Sequence, residues 1–132
     1  MDEGVREQID EWFDRARGDL EAAALIIRGR GPSSAAAAHI QQGIEKYLKG
    51  LLVAHDVVPR KIHDLVPLLS EAVRYLPDLA GYESLCDRAT DYYLMDRYPP
   101  GPSPAYPWEQ LESDLRETET LARQIMQHVE GL

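Results

Sequence analysis

The sequence predicts an all-α fold, an antiparallel up-and-down bundle of about five helices in a single domain spanning residues 1–132. Apolar residues recur at three- and four-residue steps through four or five long segments, which is the spacing of amphipathic helices. Ala, Leu and Ile carry much of the 44% hydrophobic content, with one Phe and two Trp. That balance favours helices over sheets, and no segment alternates as a half-buried strand does.

The first two helices are predicted over residues 3–28 and 34–55, because two glycines and a proline separate two periodic segments. Ser33 or Ser34 is placed to cap the second helix by accepting a backbone N–H bond. Gly43 lies inside that helix, where glycine costs about 1 kcal/mol relative to Ala. A close contact with a neighbouring helix is the expected reason for it.

Helix three is expected to start near His63 or Asp64 and to end before Pro77. Helix four is predicted over roughly residues 78–95. Helix five is predicted over residues 107–130, where apolar residues repeat at alternating three- and four-residue steps, as in a bundle seam.

A proline-rich segment separates helices four and five. Five prolines fall within residues 99–107, a density that excludes a helix or a central strand. We expect a stiff, extended crossover; a ligand segment for a partner protein is the alternative.

Composition and charge exclude several classes of protein. A formal net charge of −9 argues against bulk attraction for nucleic acid. No apolar run reaches the roughly 18 to 20 residues that span a bilayer, and the acidic start, residues 1–4, lacks the parts of a signal peptide. The single cysteine, Cys86, permits no internal disulfide and is expected to be a buried small hydrophobe. We therefore predict a cytoplasmic protein with no membrane contact.

Positive charge is confined to one region. Residues 26–63 carry six basic and two acidic side chains, a net charge of +4, whereas every other part of the chain is net negative. If the protein binds an anion, this region is the candidate; ordinary solvated Lys and Arg side chains are the alternative. The six basic residues are Arg28, Arg30, Lys46, Lys49, Arg60 and Lys61.

Most signatures of catalysis and of cofactor binding are absent from the sequence. There is no Gly-rich phosphate loop and no Cys or His spacing typical of zinc, so we expect no cofactor and no metal. His39 and His55 lie sixteen residues apart on one helix, too far apart to share an ion. His128 is expected to be exposed on the last helix, and nothing in the sequence argues for a catalytic triad.

Three polar clusters remain as candidate functional sites. They are Glu45, Lys46 and Lys49 on helix two, His63-Asp64 at the start of helix three, and Arg97-Tyr98 after helix four. His63 and Asp64 could form a catalytic pair or cap a helix. Arg97 could bind a phosphate with its planar guanidinium, or pair with Glu45 or Asp64.

The order of several short motifs resembles that of the HEPN domains, which occur in higher eukaryotes and prokaryotes and are proposed to bind nucleotides. The matching segments are Trp12 with Ala16 and Asp19-Leu20, the stretch 39–52 with its Gln41-Gln42 and Glu45-Lys46 pairs, His63-Asp64-Leu65 with Leu68-Leu69, and Arg97-Tyr98-Pro99. The resemblance covers nearly the whole chain.

The resemblance implies a helical bundle that forms homodimers, and often a minimal nucleotidyltransferase as partner in a toxin–antitoxin pair. A nucleotide is the ligand that it suggests. The residues that we expect to bind it are Lys46, Lys49, Arg97, Tyr98, His63 and Asp64.

Some HEPN proteins are metal-independent ribonucleases that carry an Arg followed, after four to six residues, by a His. Here Arg97 is followed by Tyr-Pro-Pro-Gly-Pro-Ser-Pro with no His, and Arg60 precedes His63 by only three positions. The general base for such cleavage is therefore missing. We predict a non-catalytic accessory subunit, with a ribonuclease toxin of degenerate motif and a purely structural dimeric module as the alternatives.

Overall fold

The computed structural model describes residues 1–97 and 104–132, apart from the side chains of residues 94–97. Within these residues the chain is helical and contains no strand, which confirms the prediction of an all-α bundle of five helices. The helices are α1 (Glu3–Gly29), α2 (Ser33–Ala54), α3 (Leu65–Val73), α4 (Glu83–Arg97) and α5 (Trp108–Glu130), with a 3₁₀ helix (Pro77–Tyr82) between α3 and α4.

Helix α2 is the central element of the bundle. It packs along α1 for most of its length and also contacts α3, α4 and α5. Because only three residues connect α1 to α2, the two helices run antiparallel as neighbours. The apolar face of α2 is fully buried, as the apolar spacing of this segment predicted. Its largest core residues are Ile40, Ile44, Tyr47, Leu48, Leu51 and Leu52.

Two glycines allow α1 to approach α2 closely. A Cβ atom at Gly43 would lie 2.6 Å from Leu20 Cδ2, and one at Gly50 would lie 2.5 Å from Phe13 Cε1. Both distances are far below ordinary van der Waals contact. The close contact expected at Gly43 is therefore present, and Gly50 repeats it two turns later on α2.

A buried polar network joins α4 to α5. The carboxylate of Asp114, which is 1% exposed, accepts hydrogen bonds from the Tyr92 hydroxyl at 2.6 Å and from Arg88 Nη2 at 2.6 Å. Burial, followed by the bond to Asp114, raises the pKa of Tyr92, so this hydroxyl stays protonated and donates. The network satisfies a buried carboxylate with two partners on the neighbouring helix.

The structure corrects the predicted start of helix four. The segment predicted as the beginning of an α-helix at residue 78 is instead the 3₁₀ helix, and α4 starts at Glu83. The first turn of this 3₁₀ helix is closed by a hydrogen bond from the Leu79 N–H to the Leu76 carbonyl, at 3.0 Å. Gly81, a poor helix former, follows before the α-helical geometry begins.

Neither serine caps α2 as predicted. The N-cap position belongs to Pro32, and no side chain satisfies the first turn. The Ser33 hydroxyl instead accepts the backbone N–H of Tyr106 at 3.0 Å. It therefore ties the segment before α5 to the start of α2, which is a tertiary role that local sequence cannot reveal.

The environment of His128 also differs from the prediction. This side chain is half-buried and lies against His55, because the end of α5 packs beside the end of α2.

In the proline-rich segment, residues 98–103 lie outside the described residues, so the predicted stiff crossover remains a prediction. Among the described residues, no helix is long and apolar enough to cross a bilayer.

Candidate functional site

A continuous polar stripe runs along one side of α2. At 100° per residue, its six members fall within a single arc of the helix surface. We call this set the α2 stripe; it consists of His39, Gln41, Gln42, Glu45, Lys46 and Lys49. The stripe includes both lysines that the sequence nominated, and it lies between α1 on one side and the start of α3 on the other.

Glu45 is the centre of the stripe. Its Oε1 accepts hydrogen bonds from His63 Nδ1 at 2.9 Å and from Gln41 Nε2 at 3.1 Å. Its Oε2 accepts one from Lys49 Nζ at 3.1 Å. Glu45 is only 4% exposed, so the carboxylate is buried but supplied with three donors. Such satisfaction is what a buried charge needs to be tolerated.

Gln41 links this carboxylate to the backbone before α3. Its Nε2 also donates to the His63 carbonyl at 2.9 Å, and its Oε1 accepts from Gln42 Nε2 at 2.6 Å. Helix α2 therefore holds both the ring and the main chain of His63. This contact sets where α3 begins relative to the stripe.

Lys46 has a separate partner on α1. Its Nζ donates to Asp19 Oδ2 at 2.6 Å, and the other oxygen of Asp19 lies 2.8 Å from His39 Nδ1. The Lys46 side chain keeps 22% exposure. An ammonium has three N–H donors, so Lys46 can bind a second acceptor while it keeps this ion pair.

Two aromatic rings flank the stripe. The Lys49 ammonium lies 5.9 Å from the centre of the Trp12 ring, at the outer limit of a cation–π contact. The His63 ring stacks on Tyr93 of α4, with centroids 4.4 Å apart. The imidazole is therefore held by a buried carboxylate on one edge and by an aromatic face beneath it.

Three of the six predicted site residues, Lys46, Lys49 and His63, lie at the stripe, but they differ in exposure and in pairing. Lys49 is 7% exposed and paired with Glu45, so it is not available to a ligand. Lys46 and His63 reach solvent, with side chains 22% and 49% exposed. The basic region found in the sequence is thus largely neutralised by neighbouring carboxylates.

The other three predicted residues are placed less directly. Asp64 is the N-cap of α3, where its Oδ1 accepts the Val66 N–H at 3.2 Å, as the capping alternative anticipated. Arg97 is the last residue of α4, one turn beyond Tyr93, and its side chain is not among those described. Tyr98 lies outside the described residues.

Asp19 of α1 and three members of the stripe, His39, Gln41 and Gln42, were not identified as site residues from the sequence. Asp19 belongs to a family motif, and an acidic residue within the buried face of α1 is a signal that it has a partner. Gln41 also belongs to a motif, which does not reveal its link to His63. In neither case does the sequence show which side chain the fold places opposite. Among the described residues, no three His, Cys, Asp or Glu side chains are grouped as a metal site would require.

Comparison with known proteins places this architecture in a family. In structure the chain is similar to TT1696 from Thermus thermophilus, with a TM-score of 0.74 and 24% sequence identity over 92% of this chain and 98% of that one. At this identity the likeness establishes the shared fold alone. No curated protein gives a match. The sequence itself matches the HEPN domain over residues 9–132, nearly the full length, and the chain therefore belongs to the HEPN domain family.

Proposed function

We propose that this protein is a cytoplasmic, non-catalytic HEPN accessory subunit that binds a nucleotide at the α2 stripe. The protein acts as a homodimer beside a minimal nucleotidyltransferase, in a toxin–antitoxin-like pair. The observation that carries it is the partly exposed pair Lys46 and His63, which reach solvent on the one stripe where α2 concentrates its polar side chains.

The arrangement suits the phosphates of a nucleotide more than a long polyanion. Lys46 offers its remaining N–H donors to an oxyanion, and Arg97, the last residue of α4, is a further predicted phosphate ligand. The net charge of −9 opposes the many phosphate contacts on which nucleic-acid affinity depends. A compact ligand needs only one or two such contacts.

Calorimetry with ATP and GTP tests the nucleotide part. We expect binding that weakens as salt rises, because ion pairing contributes to it. Lys46→Ala should reduce the affinity by about tenfold, the equivalent of about 1.4 kcal/mol for one charge-assisted hydrogen bond. Absence of heat at millimolar nucleotide would contradict the proposal and favour a purely structural module.

Arg116→Ala is the matched control. It removes one positive charge from an exposed position on α5, away from the stripe, and it should leave the nucleotide affinity unchanged. An equal loss in Arg116→Ala and Lys46→Ala would show that net charge alone is responsible, and it would remove the stripe as the site.

The partner is tested separately from the ligand. Co-expression with a minimal nucleotidyltransferase, followed by size-exclusion chromatography with light scattering, should give a stable complex that contains two copies of this chain. A monomer that does not associate with the nucleotidyltransferase would contradict the partner and homodimer parts. It would leave the calorimetric result on nucleotides untouched.

A ribonuclease is the second candidate, and the Glu45–His63 pair is the observation that favours it. A neutral imidazole that donates from Nδ1 to a carboxylate keeps Nε2 as its basic nitrogen, which is the arrangement of a general base. Cleavage of RNA that is lost in both His63→Ala and Arg97→Ala would support this candidate. No cleavage, or cleavage equal in these variants, would exclude it.

A further inference from the structure

A cleft separates α1 from α5 on the side of α2 that faces away from the α2 stripe. The start of α1 lies beside the end of α5, so the two helices run antiparallel. The volume of the cleft is about 280 Å³, at the lower end of the range for ligand pockets, which suits a small molecule. Its walls are mainly apolar, and they include Leu20 and Ala24 of α1 and Ala122 and Met126 of α5.

Tyr47 of α2 forms the floor of this cleft. The residue is 2% exposed, and its hydroxyl has no hydrogen-bond partner among the described residues. Every fully enclosed side-chain N or O atom in the described part of the chain does have a partner, so the Tyr47 hydroxyl must open to the cleft. Burial raises the pKa of Tyr47, and the charges that modulate it are those of Arg17, Glu119 and Glu21. The hydroxyl therefore lies between both walls as a protonated donor.

Like charges face each other across the cleft. On α1, Glu21 follows Arg17 by about one turn. On α5, Arg123 follows Glu119 by about one turn, and all four residues line the cleft. Because the helices are antiparallel, both guanidiniums lie toward one end of the cleft and both carboxylates toward the other. Arg17 is paired with Asp14 of its own helix, and within the described residues the other three form no ion pair.

We propose that this cleft binds a small zwitterion, an unbranched ω-amino acid whose carboxylate and ammonium are separated by about one helical turn, roughly 6 Å. The ligand carboxylate lies between Arg17 and Arg123, whose guanidiniums have unused N–H donors, and it accepts the Tyr47 hydroxyl. The ligand ammonium lies between the two glutamates, and its methylene chain contacts the apolar walls. The ligand thus supplies, at each end, the opposite charge that the facing side chains lack. This site has no part in the proposed function.

Titration of the ¹⁵N-labelled full chain with 5-aminopentanoate, followed by NMR at low salt, tests the site. Five bonds of about 1.5 Å separate the nitrogen of this probe from its carboxyl carbon, which gives the required length. We expect saturable binding of one equivalent. Pentanoate and pentylamine, which each lack one of the two charges, should bind about tenfold more weakly or less.

Tyr47→Phe separates a binding role of the hydroxyl from a structural one. It should weaken the affinity for 5-aminopentanoate by about tenfold, because a charge-assisted hydrogen bond is lost. The free energy of unfolding should not fall, since the hydroxyl has no partner in the protein to lose. Unchanged affinity in Tyr47→Phe would overturn the assignment of the hydroxyl to the ligand.

A charge reversal on α5, Glu119→Arg together with Arg123→Glu, tests the order of charges. It keeps the net charge but places opposite charges face to face across the cleft, so the walls pair with each other and binding should be lost. The matched control is the reversal of an exposed pair of α1 outside the cleft, Glu11→Arg together with Arg15→Glu, which should leave the affinity unchanged.

Circular dichroism establishes that each variant is folded. Equal affinity in the unaltered protein and in the folded α5 reversal would overturn the proposal. Absence of any binding of 5-aminopentanoate to the unaltered protein would overturn it as well.

Discussion

At the scale of single residues, Glu45 determines the chemistry of the α2 stripe. One buried carboxylate receives three donors, from Gln41, Lys49 and His63. Two of these donors are ionisable, and one of them, Lys49, is itself buried. The stripe therefore depends on mutual compensation between buried charges, and the loss of Glu45 would leave a buried ammonium without its counter-ion.

Replacement of Glu45 by Gln should lower the free energy of unfolding by about 2 to 3 kcal/mol, because a buried charge then lacks its partner. Urea unfolding at neutral pH measures the change. The comparison variant is Glu11→Gln, whose ion pair with Arg15 is about two-thirds exposed. It should change the stability by less than about 0.5 kcal/mol. Similar losses in the two variants would contradict the role of burial.

At the scale of helices, the approach of α1 to α2 depends on the two glycines that face Leu20 and Phe13. The separation is set by backbone against side chain, so there is no room for a methyl group. A glycine normally weakens a helix interior, but here the close packing compensates for that cost. The same close packing brings Asp19 of α1 within reach of Lys46.

Gly50→Ala should therefore destabilise the protein by about 1 to 2 kcal/mol, because the strain of overpacking exceeds the gain in helix propensity. Gly18→Ala provides the opposite case. Gly18 is exposed within α1, with nothing within 4 Å of an added Cβ, so the change should stabilise by about 0.5 to 1 kcal/mol. Thermal unfolding of both variants measures these signs. A stabilising Gly50→Ala would contradict the close contact.

At the scale of the whole molecule, α2 connects every part of the bundle. One side builds the core, another forms the polar stripe, and its C-cap residue, His55, reaches α5. The contact between His55 and His128 joins the ends of two helices that are far apart in sequence. Protonation of His55 therefore affects a contact between two helices and not only one side chain.

The lowered pKa of His55 predicts a stability that falls as the solution becomes acidic. Below the ordinary histidine pKa of about 6.5, the unfolded chain takes up a proton that folded His55 does not, so folding is opposed. The contribution of His55 to the free energy of unfolding is complete above that pH. It is lost as the pH falls toward the lower pKa of His55 in the folded protein. Unfolding free energies measured from pH 8 to pH 5.5 should show this slope.

His55→Gln should flatten that slope, whereas His39→Gln should retain it. An unchanged slope in His55→Gln would assign the acid sensitivity to another group.

Local sequence was sufficient for the helices and for the buried face of each one. The spacing of apolar residues along α2 depends only on the helical repeat, so the core positions from Ile40 to Leu52 could be predicted without any tertiary information. The capping role of Asp64 also could be predicted, because a cap involves residues two or three positions apart. The start of α4 could not be predicted, because the 3₁₀ turn after Pro77 and an α-helical turn differ little in free energy.

The family, the helix count and the single basic region were determined by the sequence alone. Only the tertiary structure decided which polar side chains form pairs. Lys46 meets Asp19 across 27 positions, His63 meets Glu45 across 18, and His55 meets His128 across 73. Helical periodicity places a side chain on a face of its own helix, but the partner is chosen by how the helices pack. For that reason the lysines that looked like free cations in the sequence are ion pairs in the fold.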